Sequence, residues 1–277
     1  MLMGKLDGQV AFITGAARGQ GRSHALTLAR EGADIIAVDV CRQVETVPYP
    51  TATPDDLAET VRQVEALDRR IIAAEADIRD LDAVKAAVDS GVAELGRLDI
   101  VLANAGISVP APTLEMDEET WNTMIDVNLS GQWKTIKASV PHLIAGGRGG
   151  SVVLTSSVAA LKANANTAHY AAAKAGLIGL MQVLALELAP QGIRVNTVHP
   201  TTVNTDMVLN APTYRLFRPD LENPTRDDYE EAARTLNKMP TSGLDVADIS
   251  NAILYLVSAD GRFVTGTQQV VDAGAML

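Results

Sequence analysis

Gln9-Val10-Ala11-Phe12-Ile13-Thr14, followed at once by Gly15-Ala16-Ala17-Arg18-Gly19-Gln20-Gly21, is the stretch that decides the fold. The first run predicts a short buried strand. The Ala- and Leu-rich residues after Gly21 predict a helix ending near Glu31-Gly32. A glycine turn between a strand and a helix suits a pyrophosphate. The helix amides and its positive end favour the anion, and glycines let the oxygens approach the backbone. The spacing is GxxxGxG rather than GxGxxG. Gly15, Arg18, Gly19, Gln20 and Gly21 are therefore candidate contacts to a dinucleotide.

Asp34-Ile35-Ile36-Ala37-Val38-Asp39 predicts the second strand, which ends in a carboxylate. A carboxylate there, with Val40 beside it, can accept hydrogen bonds from adenosine ribose hydroxyls and repels a 2′-phosphate. NAD is thus expected over NADP, although Arg18 pulls the other way. Residues 40–53 hold Pro48 and Pro50, show no period, and far exceed the typical connection of about 2–6 residues. A long segment leaving the strand end that faces the adenosine is expected to fold over that half of the cofactor and slow its exchange. The alternative is a solvated surface loop. Thr53 as N-cap, Pro54 in the first turn, and Asp55 and Asp56 at the positive end predict the next helix, striped by Leu57, Val61 and Val64.

Further strands are expected at Ile71–Ala76, Leu98–Ala103, Ser151–Ser156, Arg194–His199 and Gln268–Val271. Between them, Asp80 caps a helix that Gly96 ends, Asp117–Ala145 is mostly helical, and Asp245 caps a last helix. Strands alternating with helical patterns predict an α/β doubly wound, Rossmann-type parallel sheet in a single domain over 1–277. Asp77 and Ile78 should border the adenine, and the small residues after Asn104, namely Ala105 and Gly106, should let the cofactor pass over the strand ends. Residues 206–242 read as irregular, with Met207, Leu209, Tyr214, Leu216 and Phe217 among prolines and charges. They are expected to form a mobile lid over an apolar substrate. The alternative is an insertion packed by its own side chains.

Tyr170 and Lys174 are i and i+4 on a predicted helix, so they share one face. A cation one turn away lowers the phenol's pKa from about 10. Reaching neutrality takes about 4 kcal/mol, which calls for a second positive charge such as an oxidised nicotinamide ring. Ser157, at the edge of the fifth strand, faces the same place.

The 277 residues are 47% apolar and carry a net charge of −11, which excludes nucleic acid and anionic membrane as main partners. The stretch Leu177–Leu188 is apolar but interrupted by Gln182 and Glu187, and reads as a core or subunit-interface helix. There is no signal-peptide pattern, no metal-ligand spacing, and a lone Cys41, so a metal-free cytoplasmic protein is expected.

Thr14-Gly15-xxx-Gly19-x-Gly21, Asn104-Ala105-Gly106, Asn128, Ser157, Tyr170-xxx-Lys174 and the turn after Pro200 together resemble the short-chain dehydrogenase/reductase family along nearly the whole chain. The resemblance implies a seven-stranded sheet, NAD(P) and a homotetramer. It implies Tyr170 as acid/base, Lys174 on the nicotinamide ribose, Ser157 on the substrate oxygen, and Asn128 holding a relay water. It also places the cofactor against Pro200, Val203 and Thr205. Val38-Asp39-Val40-Cys41-Arg42-Gln43, Asp56-Leu57-Ala58-Glu59-Thr60 and His199-Pro200-Thr201-Thr202-Val203 resemble the mycofactocin-coupled, carveol dehydrogenase-like actinobacterial group. That implies a small apolar alcohol or ketone substrate, retained NAD and a peptide-derived redox carrier. Gln20 replaces an aliphatic residue common in the family, and Ala273 a frequent glycine. Two further readings stay open: an exchanging NAD(P)H-dependent carbonyl or 3-oxoacyl-thioester reductase, and a non-catalytic NAD-sensing scaffold.

Overall fold

A computed structural model describes residues 4–277. The strands are β1 (Val10–Thr14), β2 (Asp34–Asp39), β3 (Ile71–Glu75), β4 (Ile100–Ala103), β5 (Gly150–Thr155), β6 (Ile193–Pro200) and β7 (Gln268–Val271). They form one seven-stranded sheet in the order β3-β2-β1-β4-β5-β6-β7. Every pairing is parallel. The order reverses between β1 and β4, and the carboxyl ends of these two strands open the crevice where ligands bind in such sheets.

The helices are α1 (Gly19–Arg30), α2 (Pro54–Glu65), α3 (Leu81–Leu95), α4 (Glu118–Ile125), α5 (Gln132–Gly146), α6 (Ala168–Leu188), α7 (Ala211–Phe217), α8 (Arg226–Arg234) and α9 (Val246–Val257). Two apolar cores lie on opposite faces of the sheet, as alternation along β1 dictates. Phe12 faces one core with residues of α3, α5 and α6. Ala11 and Ile13 face the other with residues of α1, α2 and α9. Each fully buried Val, Ile, Leu or Phe contributes about 1.5–3 kcal/mol of hydrophobic burial.

Local chemistry sets the helix ends. The Thr53 hydroxyl accepts from the Asp56 N–H while the Asp56 carboxylate accepts from the Thr53 N–H, closing a capping box. Gly96 ends α3 at φ 85°, in the left-handed region. Strand β4 starts at Ile100 rather than Leu98, and Asp99 just before it ties strand starts together: its carboxylate accepts from the Val10 N–H at 2.9 Å.

The stretch Asp117–Ala145 is not one continuous helix: α4 and α5 are joined by a π-helical turn, Asp126–Gly131. Residues 206–242 are also more regular than the sequence suggests. Asn210 caps α7, and Thr225 caps α8 in a second capping box with Asp228. Tyr229 is 1% exposed, stacked on Tyr214 at 5.3 Å and edge-on to Phe217 at 4.9 Å between ring centroids. This segment therefore has a small core of its own. Ala273 sits at φ 49°, a left-handed conformation that favours glycine. Its carbonyl accepts from the Lys238 and Met239 N–H groups, so the C-terminal turn holds the far end of the segment.

Helix α6 with the turn after it, Ala168–Gln191, is long and apolar enough to cross a membrane by length and composition. Here it lies along the sheet with Leu177 and Met181 fully buried, while Val183 and Leu186 face outward.

Candidate active site

The glycine turn forms the floor of the cleft. Gly15 is at φ +68°, and a Cβ on it would lie 2.8 Å from the Ala105 Cα. A Cβ on Gly21 would lie 1.9 Å from the Gly15 carbonyl oxygen. Both contacts are impossible for a side chain, so the turn can close only with glycine. The Thr14 hydroxyl accepts from the N–H groups of Asn104 and Ala105 at 3.1 and 3.2 Å, and Asn104 Nδ2 donates to the Thr14 carbonyl at 3.0 Å. These bonds fix the mouth between β1 and β4.

Gly15, Arg18, Gly19, Gln20, Gly21, Asp39, Val40, Asp77, Ile78, Asn104, Ala105, Gly106 and Thr205 all line this one cleft. The buried Gln20 Oε1 has no partner among the described residues. Asp39 Oδ2 accepts from the Ala17 N–H and Oδ1 from the Val40 N–H, at 2.9 and 2.8 Å. Burial pushes the Asp39 carboxyl up, and these backbone bonds pull it back. Each oxygen keeps a lone pair for another donor. Burial works against the Asp77 charge too, but Arg79 and Arg42 hold that carboxyl below its usual range. Arg18 pairs with Asp206 at 3.0 Å and donates to the Pro50 carbonyl. Its guanidinium is thus committed, away from the role of a phosphate clamp.

Met207, expected in the lid, lines the same cleft, as do Val44, Tyr49, Thr51, Ala52, Ile107, Val127 and Asp206, which were not singled out by sequence. Most belong to the two aperiodic segments, where nothing in the pattern marks a side chain as inward. Residues 40–53 are not a solvated loop: Cys41, Val44, Val47, Tyr49, Thr51 and Ala52 are all buried. The Tyr49 hydroxyl accepts from the Ser108 N–H at 3.3 Å, so the segment reaches across to the exit of β4.

Ser157, Tyr170, Lys174 and Asn128 come together beside the cleft, at the carboxyl ends of β4 and β5. Lys174, 3% exposed, donates to the Thr155 carbonyl at 2.8 Å and lies 5.6 Å from the Tyr170 ring centroid. Burial lowers its pKa to about 7. Burial likewise raises Tyr170, and a hydrogen bond with Ser157 draws it down only in part. Lys174 therefore does not by itself bring the phenol below its usual value: burial raises it more than the Ser157 bond lowers it. The Ser157 hydroxyl accepts from the Ala159 N–H at 3.1 Å, leaving its proton free for the Tyr170 side.

Asn128 is fully buried on the π turn. Its Oδ1 accepts from the Ile107 N–H at 3.1 Å and its Nδ2 donates to the Ile107 carbonyl at 2.8 Å. The side chain is spent on the backbone, so a water held here would use the Asn128 main-chain carbonyl. A Cβ on Gly106 would lie 2.6 Å from Asn128 Oδ1 and 3.3 Å from Lys174 Nζ, which is why only glycine passes between them. Pro200 ends β6, outside the lining of the cleft. Val203 is buried and bridges to Leu244, yet its N–H has no partner among the described residues.

The profile of the short chain dehydrogenase family matches residues 9–214. The chain is 56% identical to the (-)-trans-carveol dehydrogenase of Rhodococcus erythropolis over 276 residues, covering 99% of this chain and 100% of that protein. It superposes on the crystal structure of carveol dehydrogenase from Mycobacterium avium in complex with NAD with a TM-score of 0.97, at 56% identity and 99% coverage of each chain. It is also 33% identical, over 275 residues, to the 3-oxoacyl-[acyl-carrier-protein] reductase of Thermotoga maritima, covering 99% of this chain and 100% of that protein.

Proposed function

The chain belongs to the short-chain dehydrogenase/reductase family, and on that premise we propose that it is an NAD-dependent dehydrogenase of apolar secondary alcohols of monoterpene size, such as carveol. The observation that carries this reading is Ser157, Tyr170 and Lys174 gathered beside a cleft whose floor is a glycine turn and whose adenosine end holds Asp39.

NAD fits the cleft. Asp39 offers lone pairs to ribose hydroxyls, the glycine turn leaves no side chain in the path of a pyrophosphate, and the free Val203 N–H suits a carboxamide. Bound NAD would supply the two-electron acceptor for alcohol oxidation. Tyr170 takes the alcohol proton as general base, or returns it as general acid in reduction. Lys174 holds the nicotinamide ribose hydroxyls. Tyr170 needs a positive charge beyond Lys174 to lower its pKa toward neutrality, and an oxidised nicotinamide ring would supply it. Ser157 donates to the substrate oxygen and fixes it for the transfer. The Asn128 carbonyl holds a water that passes the proton outward past Lys174. Thr205 contacts the pyrophosphate, and Pro200 sets the turn that presents Val203.

The 40–53 segment covers the adenosine half and retains NAD, so electrons leave through an external carrier, a peptide-derived redox molecule of the mycofactocin type. The 206–242 segment forms the lid over the alcohol. Exposed Val183 and Leu186 on α6, with Trp133 and Ile144 on α5, suit burial in a homotetramer. The lone buried Cys41 suits a reducing cytoplasm. A second reading, an exchanging 3-oxoacyl-thioester reductase, draws on the Thermotoga relative. Asp39 and the committed Arg18 weigh against the NADP such a reaction often uses.

The test is to gel-filter the purified protein without added nucleotide, denature it, and read the supernatant for NAD(H) and NADP(H) by chromatography. Near-stoichiometric NAD(H) is the expected result. An empty protein that turns over with free NADPH would move the function to the second reading. In parallel, Tyr170→Phe should abolish carveol oxidation and leave the bound nucleotide in place.

A further inference from the structure

We infer that His199 is a positioning residue for Ser157: its ring clamps the Ser157 main chain, and Thr197 fixes the ring. The clamp aims the hydroxyl that meets the substrate oxygen. His199 is 0% exposed near the end of β6. Its Nδ1 lies 3.0 Å from the Ser157 carbonyl oxygen and its Nε2 lies 2.8 Å from the Thr197 hydroxyl. A carbonyl can only accept, so Nδ1 carries the proton. Burial, opposed by the Ser157 bond and reinforced by the charge of Lys174, keeps the ring neutral. Nε2 is therefore an acceptor, and Thr197 gives it its proton. The other acceptor open to that hydroxyl, the Thr267 carbonyl, is farther away at 3.5 Å.

The clamp falls where the sheet stops. The last backbone bond from β5 to β6 in this region runs from the Ser156 N–H to the Val198 carbonyl, at 2.8 Å. One residue on, past the end of the ladder, the His199 ring reaches the Ser157 carbonyl. The Ala160 N–H donates to the same oxygen at 3.1 Å, so both lone pairs are filled. With Ala159 on the hydroxyl, the peptide after Ser157 cannot pivot, and the free O–H keeps one direction. Without His199 the Ser157 carbonyl keeps only its short-range bond from the Ala160 N–H, and the hydroxyl can swing away from Tyr170.

This inference rests on the proposed reaction for its kinetic arm only. The first measurement needs no activity and no variant: long-range 1H–15N correlation of the histidine rings in the labelled protein at pH 7.5. A neutral Nδ1–H tautomer for His199 is expected; an Nε2–H tautomer or a charged ring overturns the inference. The second compares His199→Asn, which keeps a donor in the place of Nδ1, with His199→Phe, which keeps bulk and loses it. With carveol and NAD, His199→Phe should lose about 100-fold in kcat, the scale of a misplaced contact. His199→Asn should stay within about 10-fold of wild type on that same scale. KM for carveol and the bound NAD should hardly change in either. Equal losses in both variants, or wild-type kcat in the Phe variant, overturn it. A wild-type protein that ignores carveol counts against the proposed reaction, and the ring measurement then decides the inference alone.

Discussion

Two segments leave the carboxyl ends of strands and border the cleft, and they are ordered in opposite ways. Residues 40–53 form no helix or strand, yet they are knitted into the body of the protein. Gln43 Nε2 donates to the carbonyls of Val44, Val47 and Tyr49, and Gln43 Oε1 accepts from the Thr51 N–H. Val44, Val47 and Tyr49 pack into the core on one sheet face, and Arg42 ties the outside to Asp77 at 2.9 Å. Residues 206–242 hold two capped helices; Met207 packs against the domain core, but the aromatic contacts gather around Tyr229 inside the segment itself. Regular structure is thus no measure of attachment. The first segment should open only with the domain; the second can open as a unit.

The sharpest way to break the comparison is Tyr229→Ala. Removing a buried aromatic costs about 3–5 kcal/mol. If the segment is self-packed, amide exchange should speed across α7 and α8 alone, the main thermal transition should barely move, and KM for the alcohol should rise while NAD stays bound. A matching fall in the global transition would mean the segment is part of the domain core. Tyr229→Phe keeps the ring and loses only a buried hydroxyl that faces Thr202, so it should cost no more than about 1.5 kcal/mol.

A smaller effect separates both segments from the scaffold beneath them. His24 in α1 is fully buried with Nδ1 2.8 Å from the Ser250 hydroxyl in α9, and burial lowers its pKa to about 3. Above pH 6.5 the ring is neutral in both folded and unfolded chains and adds no pH dependence. Below it the unfolded chain binds a proton that the folded ring refuses, so stability falls as pH drops. Between pH 6.5 and 5 this amounts to about 2 kcal/mol. Urea midpoints across that range should decline, and both segments should be lost with the scaffold rather than before it. A flat profile would mean that the ring is solvated after all.

Gln43→Ala tests the other side. Losing several hydrogen bonds that water replaces in part costs about 1–2 kcal/mol. The expected result is faster NAD release with an unchanged KM for the alcohol, the reverse of Tyr229→Ala. Unaltered release would place retention elsewhere in the cleft.

The same contrast explains what the sequence could say. The glycine turn and the place of Asp39 at the cleft were legible because close backbone approach demands glycine and the strand pattern ends at Asp39. The Thr53 cap was legible because Pro54, Asp55 and Asp56 agree with it. Thr225 and Asp228 make the same box as Thr53 and Asp56, but neighbouring charges and prolines hid the helix it starts. The π turn at Asn128 left no mark, since the apolar pattern runs through it unbroken. Gln43 and His199 were illegible for a different reason. Gln43 binds carbonyls in an aperiodic run, and His199 finds Ser157 in the turn after another strand, so neither contact has a spacing to read.

Arg18 is where the two segments meet, and it offers the finest test. Its guanidinium donates to Pro50 of the first and pairs with Asp206 of the second. Asp206 is largely exposed, so the ion pair should add no more than about 0.5 kcal/mol to stability. Asp206→Asn should therefore leave the thermal transition in place and change NAD release by less than about 3-fold, the kinetic equivalent of so small an energy. That outcome keeps the segments independent, one attached to the domain and one to itself. A release rate raised tenfold or more would mean that the pair acts as a single cover, with Arg18 as the joint, and that substrate entry beneath the second segment loosens the cofactor beneath the first.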